Sequence, residues 1–389
     1  MAEINAKKGL SIEPQASTNI ANNSVFIDSG DSYLPKLKDN SGNVLRVITL
    51  DSSGKLPAVN GSQLTNIPSP NVSDWTPLFY TGFTSDGEGI YTVSPTEWGT
   101  GSKVTLDAGG TWANYTIGSP SSSSIIAKFD ATYLVNVTST GSTKYNITGN
   151  ADGWVAGGSL ASVTVVKDIS YPTANLIVVV GDASSGVGTW FSTDQGVSFT
   201  QSTTGQTGGI YAVDMYDGTN GMLVSNGGRV YYTTDGAVNW TDSGFNASSG
   251  DGWAMLSLSA TEYIASKGEI KDSAEDFKGI YKGDTTSAGV LVMNCSIDEG
   301  MQTNFCRTTN GNIYLGVVGG SRDATGRSSQ TCWLFRSTDE GDHWSMKNIG
   351  FSYNWNDGLP EYPSTLIEYD TNKMLMKFKG GMIVKIDES

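Results

Sequence analysis

His343 is the single histidine of this 389-residue chain, and there are three cysteines, Cys295, Cys306 and Cys332. A zinc site would draw on these four residues, but no CxxC or HxxxH spacing joins them, so no metal is expected. One histidine inside a turn, Glu340–Trp344, also argues against Ser–His and Cys–His nucleophile pairs. The 39 acidic residues offer many carboxylate pairs for glycoside hydrolysis, and nothing selects one pair. GxGxxG and P-loop patterns are absent, so no nucleotide cofactor is expected. A different chemistry is offered by Gly350–Ser364, where aromatics alternate with Asn and Asp. Such a stretch suits stacking on sugar faces and hydrogen bonding to hydroxyls, each ring contributing about 1 kcal/mol. The candidate ligand residues are Tyr353, Trp355, Asp357 and Tyr362, joined by Arg322, Asp323 and Arg327 from the preceding polar stretch. Each group has a plainer use. Phe351, Tyr353 and Trp355 can cap packed sheets, and the three charges can be solvated loop residues.

The elements that position these residues are marked by a repeated turn. In Thr105-Leu-Asp-Ala-Gly-Gly-Thr-Trp112 the hydroxyl of Thr105 and carboxylate of Asp107 can bond nearby backbone groups. Gly109 supplies a position open to positive φ, and Trp112 starts the next strand with a large apolar surface. Ser192, Asp194, Gly196 and Phe199 repeat the pattern, as do Ser337, Asp339, Gly341 and Trp344. Thr233, Asp235 and Trp240 keep it, with Ala237 in the glycine position. The aspartates are 87, 41 and 104 residues apart. Degenerate turns at Asp152 and Asp284 divide these gaps into steps of 45, 42, 41, 49 and 55 residues. That period, with short strands between turns, predicts a radial array of four-stranded blades.

One block shows the grammar clearly: Gly208–Tyr216, Asn220–Val224, Gly228–Thr233 and Asn239–Ser243 read as four strands separated by turn residues. At the C-terminus only three strands are legible, Ser364–Tyr369, Lys373–Phe378 and Gly381–Ile386. The strand at Trp75–Phe79 is expected to supply the fourth and close the ring, removing its open edges. Seven blades are favoured, with six as the alternative. Three long loops, Ser266–Lys278, Val318–Thr331 and Ile349–Ser364, are expected on the face away from the Asp turns. Long loops on a rigid scaffold are where binding concentrates.

Residues 1–72 differ from the rest. Short runs at Leu10–Ile12, Ser24–Ile27 and Val44–Leu50 alternate with Asn, Ser, Asp and Gly, too little to bury a core alone. The net charge of −15 argues against a nucleic-acid partner. No run of about 18 apolar residues occurs, so no membrane insertion is expected. Met1-Ala-Glu-Ile-Asn-Ala-Lys-Lys lacks the apolar core of a signal peptide, so synthesis and folding in the cytosol are expected. The odd cysteine count argues against a disulfide framework.

Two resemblances extend this reading. Leu50-Asp-Ser-Ser-Gly-Lys-Leu-Pro-Ala-Val-Asn-Gly-Ser-Gln-Leu-Thr-Asn-Ile67 resembles segments of bacteriophage tail fibres, as does the stretch from Phe26 to Val44. It implies a virion protein, trimeric as fibres are, with residues 1–72 attaching to other virion proteins and residues 73–389 forming a distal head. The turns at Asp107, Asp194, Asp235 and Asp339 resemble the Asp-boxes, or BNR repeats, of sialidases and related propellers. That resemblance implies an all-β Asp-box β-propeller whose boxes are structural and lie on the strand 3–4 turns, with Trp112, Phe199, Trp240 and Trp344 packed between blades. Sialidases bind a substrate carboxylate with three arginines. Only six arginines occur here, the Phe-Arg-Ile-Pro motif is missing, and Arg336 precedes a box. The expectation is a non-enzymatic head binding a host-surface glycan or protein receptor. The alternatives are a glycan-degrading tail enzyme and a purely structural virion protein.

Overall fold

The computed structural model describes residues 24–27, 35–38, 44–46, 78–80, 90–94, 97–100, 103–105, 111, 113–114, 124–128, 133–138, 140–146, 153–173, 175–203, 209–246, 252–271, 274–297, 301–319, 329–354, 363–378 and 383–387. Two compact units divide the chain, Met1–Asn71 and Val72–Ser389. The first holds a three-stranded antiparallel sheet of β1 (Ser24–Ile27), β2 (Pro35–Lys38) and β3 (Val44–Arg46). Leu10–Ile12 and the fibre-like run Leu50–Ile67 lie outside the described residues.

The second unit contains seven four-stranded antiparallel sheets. Six of them use strands consecutive in sequence. They are β5 (Ile90–Ser94), β6 (Glu97–Thr100), β7 (Lys103–Thr105) and β8 (Ala113–Asn114); then β9 (Ser124–Lys128), β10 (Leu134–Thr138), β11 (Ser142–Asn146) and β12 (Trp154–Ser159). Next come β13 (Val163–Ser170), β14 (Ile177–Ala183), β15 (Thr189–Ser192) and β16 (Thr200–Gln201), and β17 (Ile210–Met215), β18 (Gly221–Ser225), β19 (Arg229–Thr233) and β20 (Thr241–Asn246). The last two are β21 (Gly252–Ser257), β22 (Glu262–Lys271), β23 (Ala274–Asp284) and β24 (Ser287–Ile297), and β25 (Met301–Arg307), β26 (Ile313–Gly319), β27 (Ser329–Ser337) and β28 (Ser345–Asn354). The seventh sheet is composite: β29 (Pro363–Asp370), β30 (Lys373–Phe378) and β31 (Ile383–Asp387) are joined by β4 (Leu78–Tyr80). Val384 of β31 lies opposite Phe79 of β4.

The first strands of the sheets neighbour one another in a closed cycle, β5, β9, β13, β17, β21, β25, β29 and back to β5. This is the arrangement of a β-propeller, in which closure leaves no unpaired face at either end of the chain. The core lies between successive sheets. One cluster joins Val135 and Val137 of β10 to Val166 of β13, Ile177 and Val179 of β14, and Trp190 of β15. Another joins Val178 and Val180 of β14 to Val213 of β17 and Leu223 of β18. β14 therefore buries side chains on both faces, and Val-rich strands such as Ile177-Val-Val-Val180 are what that position selects.

One expected loop proves to be largely strand, and a second is half strand. Ser266–Lys278 is a hairpin, with β22 running to Lys271 opposite Ala274 of β23. Antiparallel pairing is made by backbone groups and does not need apolar side chains to continue. Ile349–Ser364 is also shortened: Ile349–Asn354 belongs to β28, with Tyr353 opposite Gln330, and Pro363 opens β29. Proline suits a first strand position because it has no N–H to donate.

Candidate functional site

The Asp turns at Asp194, Asp235 and Asp339 each connect the third and fourth strands of a sheet. Ser192 Oγ donates to Asp194 Oδ1 at 2.8 Å and accepts the Gly196 N–H at 2.7 Å. Asp194 Oδ1 also accepts the Ser198 N–H at 2.9 Å. Thr233, Asp235, Ala237 and Asn239 repeat this geometry, with 2.9 Å from Thr233 Oγ1 to Asp235 Oδ1 and 2.9 Å from the Asn239 N–H. So do Ser337, Asp339, Gly341 and His343, both corresponding distances being 2.9 Å. The fourth residue after each aspartate closes the turn by a side-chain contact to Oδ2: Ser198 Oγ, Asn239 Nδ2 and His343 Nδ1. Partial burial pushes the three carboxyls up, but these donors outweigh it and hold them below the usual carboxylate range.

The aromatic that follows packs onto the preceding sheet. Phe199 joins the cluster around Val135, Trp240 the one around Val178, and Trp344 the one around Ile264 and Phe277. Trp344 Nε1 donates to Gly341 O at 2.9 Å. Asp107, Gly109 and Trp112 lie outside the described residues, as does Asp152, and Thr105 is the last residue of β7. Asp284 departs from the expected pattern. Its Oδ1 accepts the Thr286 N–H at 2.6 Å and the Thr286 hydroxyl at 2.7 Å, giving a tight hairpin turn in place of the eight-residue motif. With Ser287 only three residues on, no room remains for the motif.

In an antiparallel sheet the strand 3–4 and 1–2 turns share one end, and the 2–3 connection leaves from the other. Residues 320–328 are a 2–3 connection and 355–362 a 4–1 connection, so both leave the face opposite the Asp turns. Of the sequence-predicted ligand residues, Arg322, Asp323, Arg327, Trp355, Asp357 and Tyr362 lie in these segments, outside the described residues. Tyr353 is in β28.

A polar ladder between the inner strands has no counterpart among the sequence motifs. Asp168 Oδ2 on β13 accepts the Val213 N–H of β17 at 3.0 Å, and Asp168 Oδ1 accepts the Ile169 N–H at 2.8 Å. Ser170 Oγ accepts the Met215 N–H at 2.9 Å. Asp214 Oδ2 accepts the Ser257 N–H of β21 at 2.7 Å, and Asn304 Oδ1 on β25 accepts the Leu366 N–H of β29 at 2.8 Å. Asp168 and Asp214 are half-buried, yet desolvation pushes both up to about 7, against the N–H donors that stabilise the charge. Asp168 also raises Asp214, which Arg307 opposes.

Lys377 of β30 is another residue missed, with none of its surface exposed. It pairs opposite Ile383 near the end of its strand, at the face carrying the long connections. The preceding residues Met374-Leu-Met376 are buried as well, and a lysine continuing that run was the available signal. His343 is well exposed and bound to its own turn, while burial pushes the Cys306 thiol up to about 12 and raises that of Cys332. Buried thiols of this kind are structural and unreactive. Arg336 stacks its guanidinium 6.0 Å from the Tyr314 ring centre.

No family model matches the chain, and no curated protein matches it. Solved structures do. Streptogramin B lyase superposes with a TM-score of 0.54 at 10% identity, covering 81% of this chain and 98% of that one. The virginiamycin B lyase of Staphylococcus aureus gives 0.53 at 10% identity, covering 81% and 99%. YCF48 from Cyanidioschyzon merolae gives 0.52 at 11% identity, covering 80% and 98%. At such identity the likeness concerns architecture, and the architecture shared is the β-propeller.

Proposed function

We propose that this chain is a bacteriophage fibre or appendage protein whose propeller binds a host-surface receptor, a glycan in the first instance. On this reading the composite sheet of β29, β30, β31 and β4 counts as the seventh blade and the Asp turns are Asp-boxes. Residues 1–72 attach the head to other virion proteins, and the assembled fibre is a trimer. The observation that carries the proposal is the fibre-like run Leu50–Ile67, which precedes in sequence a second compact unit holding the ring. Support comes from the distribution of connections. The Asp-turn face is laced by short hydrogen-bonded turns, whereas the opposite face carries the 320–328 and 355–362 segments with Arg322, Trp355 and Tyr362. A ring carrying long connections on one face is a suitable binding scaffold.

The experiment compares full-length protein with a chain lacking residues 1–71. Both are tested for binding to bacterial cells and for incorporation into particles. The proposal expects cell binding by both and incorporation of the full chain alone. Incubation with host polysaccharide separates binding from hydrolysis, since shortened fragments would indicate a glycan-degrading enzyme instead.

A further inference from the structure

Two exposed tyrosines stand on the Asp-turn face, where the preceding reading assigns nothing. Tyr171 directly follows β13 and is 39% exposed, while Tyr216 directly follows β17 and is 48% exposed. The hydrogen bond from the Met215 N–H to Ser170 Oγ, 2.9 Å, joins the residues just before them. The two turns that follow also meet, since a Cβ added at Gly218 would lie 3.6 Å from Thr173 Cγ2. The two rings therefore emerge from adjoining turns on neighbouring inner strands. Desolvation raises the Tyr171 phenol, and the Cys306 thiol and the Asp168 carboxyl add to it, although the residue keeps part of its surface accessible.

Polar groups in the same two turns are pre-positioned. Asp217 Oδ1 accepts the Thr219 and Asn220 N–H groups, both at 2.7 Å, and Oδ2 accepts Asn220 Nδ2 at 2.8 Å. These donors hold the Asp217 carboxyl far below the usual range, so it stays ionised. Thr173, Asn175 and Thr219 add hydroxyl and amide groups. Residues 171–175 and 216–220 contain no Lys or Arg, and Arg307, the cation acting on nearby Asp214, is engaged by Leu258 O at 3.5 Å and Glu340 Oε1 at 3.6 Å. A protein partner would need a larger continuous apolar area, and an anion would need cations. Aromatic faces beside fixed hydroxyls and amides match a polyhydroxylated neutral ring.

We propose that Tyr171 and Tyr216 form a second binding platform, for a neutral carbohydrate, on the Asp-turn face of the propeller. It is independent of the receptor segments on the opposite face.

The test is affinity electrophoresis of the full-length protein through gels containing soluble dextran, mannan or galactan. Retardation is expected in at least one. Y171A/Y216A should weaken it at least tenfold, whereas Y171F/Y216F, which keeps both rings, should retain it. W355A, on the opposite face, should leave it unchanged. Absence of retardation in all three gels would overturn the platform, as would full retardation of the folded Y171A/Y216A protein. Loss confined to W355A would overturn it too, while leaving the receptor reading intact.

Discussion

Asp168 on β13 reaches across to Val213 on β17, its Oδ2 accepting the backbone N–H at 3.0 Å. One blade is thereby fastened to the next at the axis by a side chain rather than by sheet pairing. Asp214 repeats the device toward Ser257 at 2.7 Å. The ring is held by apolar packing between sheets together with these charged or protonated bridges near its centre.

The bridges give the stability a pH dependence of definite sign. Desolvation raises the folded-state values of Asp168 and Asp214 from 3.8 to about 7. Between those values the folded protein holds protons that the unfolded chain has released. Their contribution is full below the unfolded value and is lost as pH rises through about 7. Arg307 faces Asp214 and moderates the effect. Thermal melts should show Tm falling from pH 5 to pH 8, and a D168N/D214N protein should show a flatter profile. The lowered carboxyls of Asp194, Asp235 and Asp339 act in the opposite sense and in a lower window, as pH falls below the ordinary aspartate range.

Gly341 is the most demanding position of the Asp turns. Its φ is 87°, and an added Cβ would lie 2.3 Å from Ile264 Cδ1 of the preceding sheet. G341A should cost about 2–3 kcal/mol by urea denaturation, combining left-handed strain with overpacking. Gly196 has more room, 2.9 Å to Val135 Cγ2, so G196A should cost less. Ala237 already occupies the equivalent place at φ 70° with its methyl fully buried. A237G should be close to neutral, because relief of strain offsets a lost contact of about 1 kcal/mol.

Removing the Asp194 side chain leaves the Ser198 and Ser192 donors without their acceptor. D194A should destabilise the ring by about 2–3 kcal/mol, since hydrogen bonds to a charged group are each worth more than neutral ones. H343A removes one exposed contact to Asp339 and should cost under about 1 kcal/mol. Chemical denaturation of the two variants in parallel checks the order.

Strand β4 completes the sheet begun by β29. A chain starting at residue 72 should melt cooperatively. One starting at residue 82 lacks β4, exposes the edge of β31, and should lose cooperativity or aggregate. Calorimetry distinguishes the two.

Repetition made the fold legible in the sequence. The Ser/Thr-x-Asp spacing recurs because one hydrogen-bonding solution is reused on successive sheets, and Ile210–Met215, Gly221–Ser225 and Arg229–Thr233 fall where strand patterning put them. The missing C-terminal strand was visible as an incomplete count. Segment length was harder. The β22–β23 pairing runs through a polar stretch to Lys271 and Ala274, and polarity alone does not mark where pairing stops. The inner ladder was invisible because Asp168 and Asp214 have no shared local signature. Their role depends on a neighbour 45 or 43 residues away. Lys377 was passed over although it continues the apolar run Met374-Leu-Met376, because its burial comes from the sheets around it. The candidate ligand residues, apart from Tyr353, were chosen by composition in segments outside the described residues.

The most direct test of the receptor-binding account is to measure binding of labelled full-length protein to host cells, with soluble host polysaccharide as competitor. The account predicts saturable binding, abolished by the competitor and weakened at least tenfold by combined W355A/Y362A substitution. Saturable binding that the polysaccharide leaves untouched, or that W355A/Y362A leaves at full strength, would contradict it.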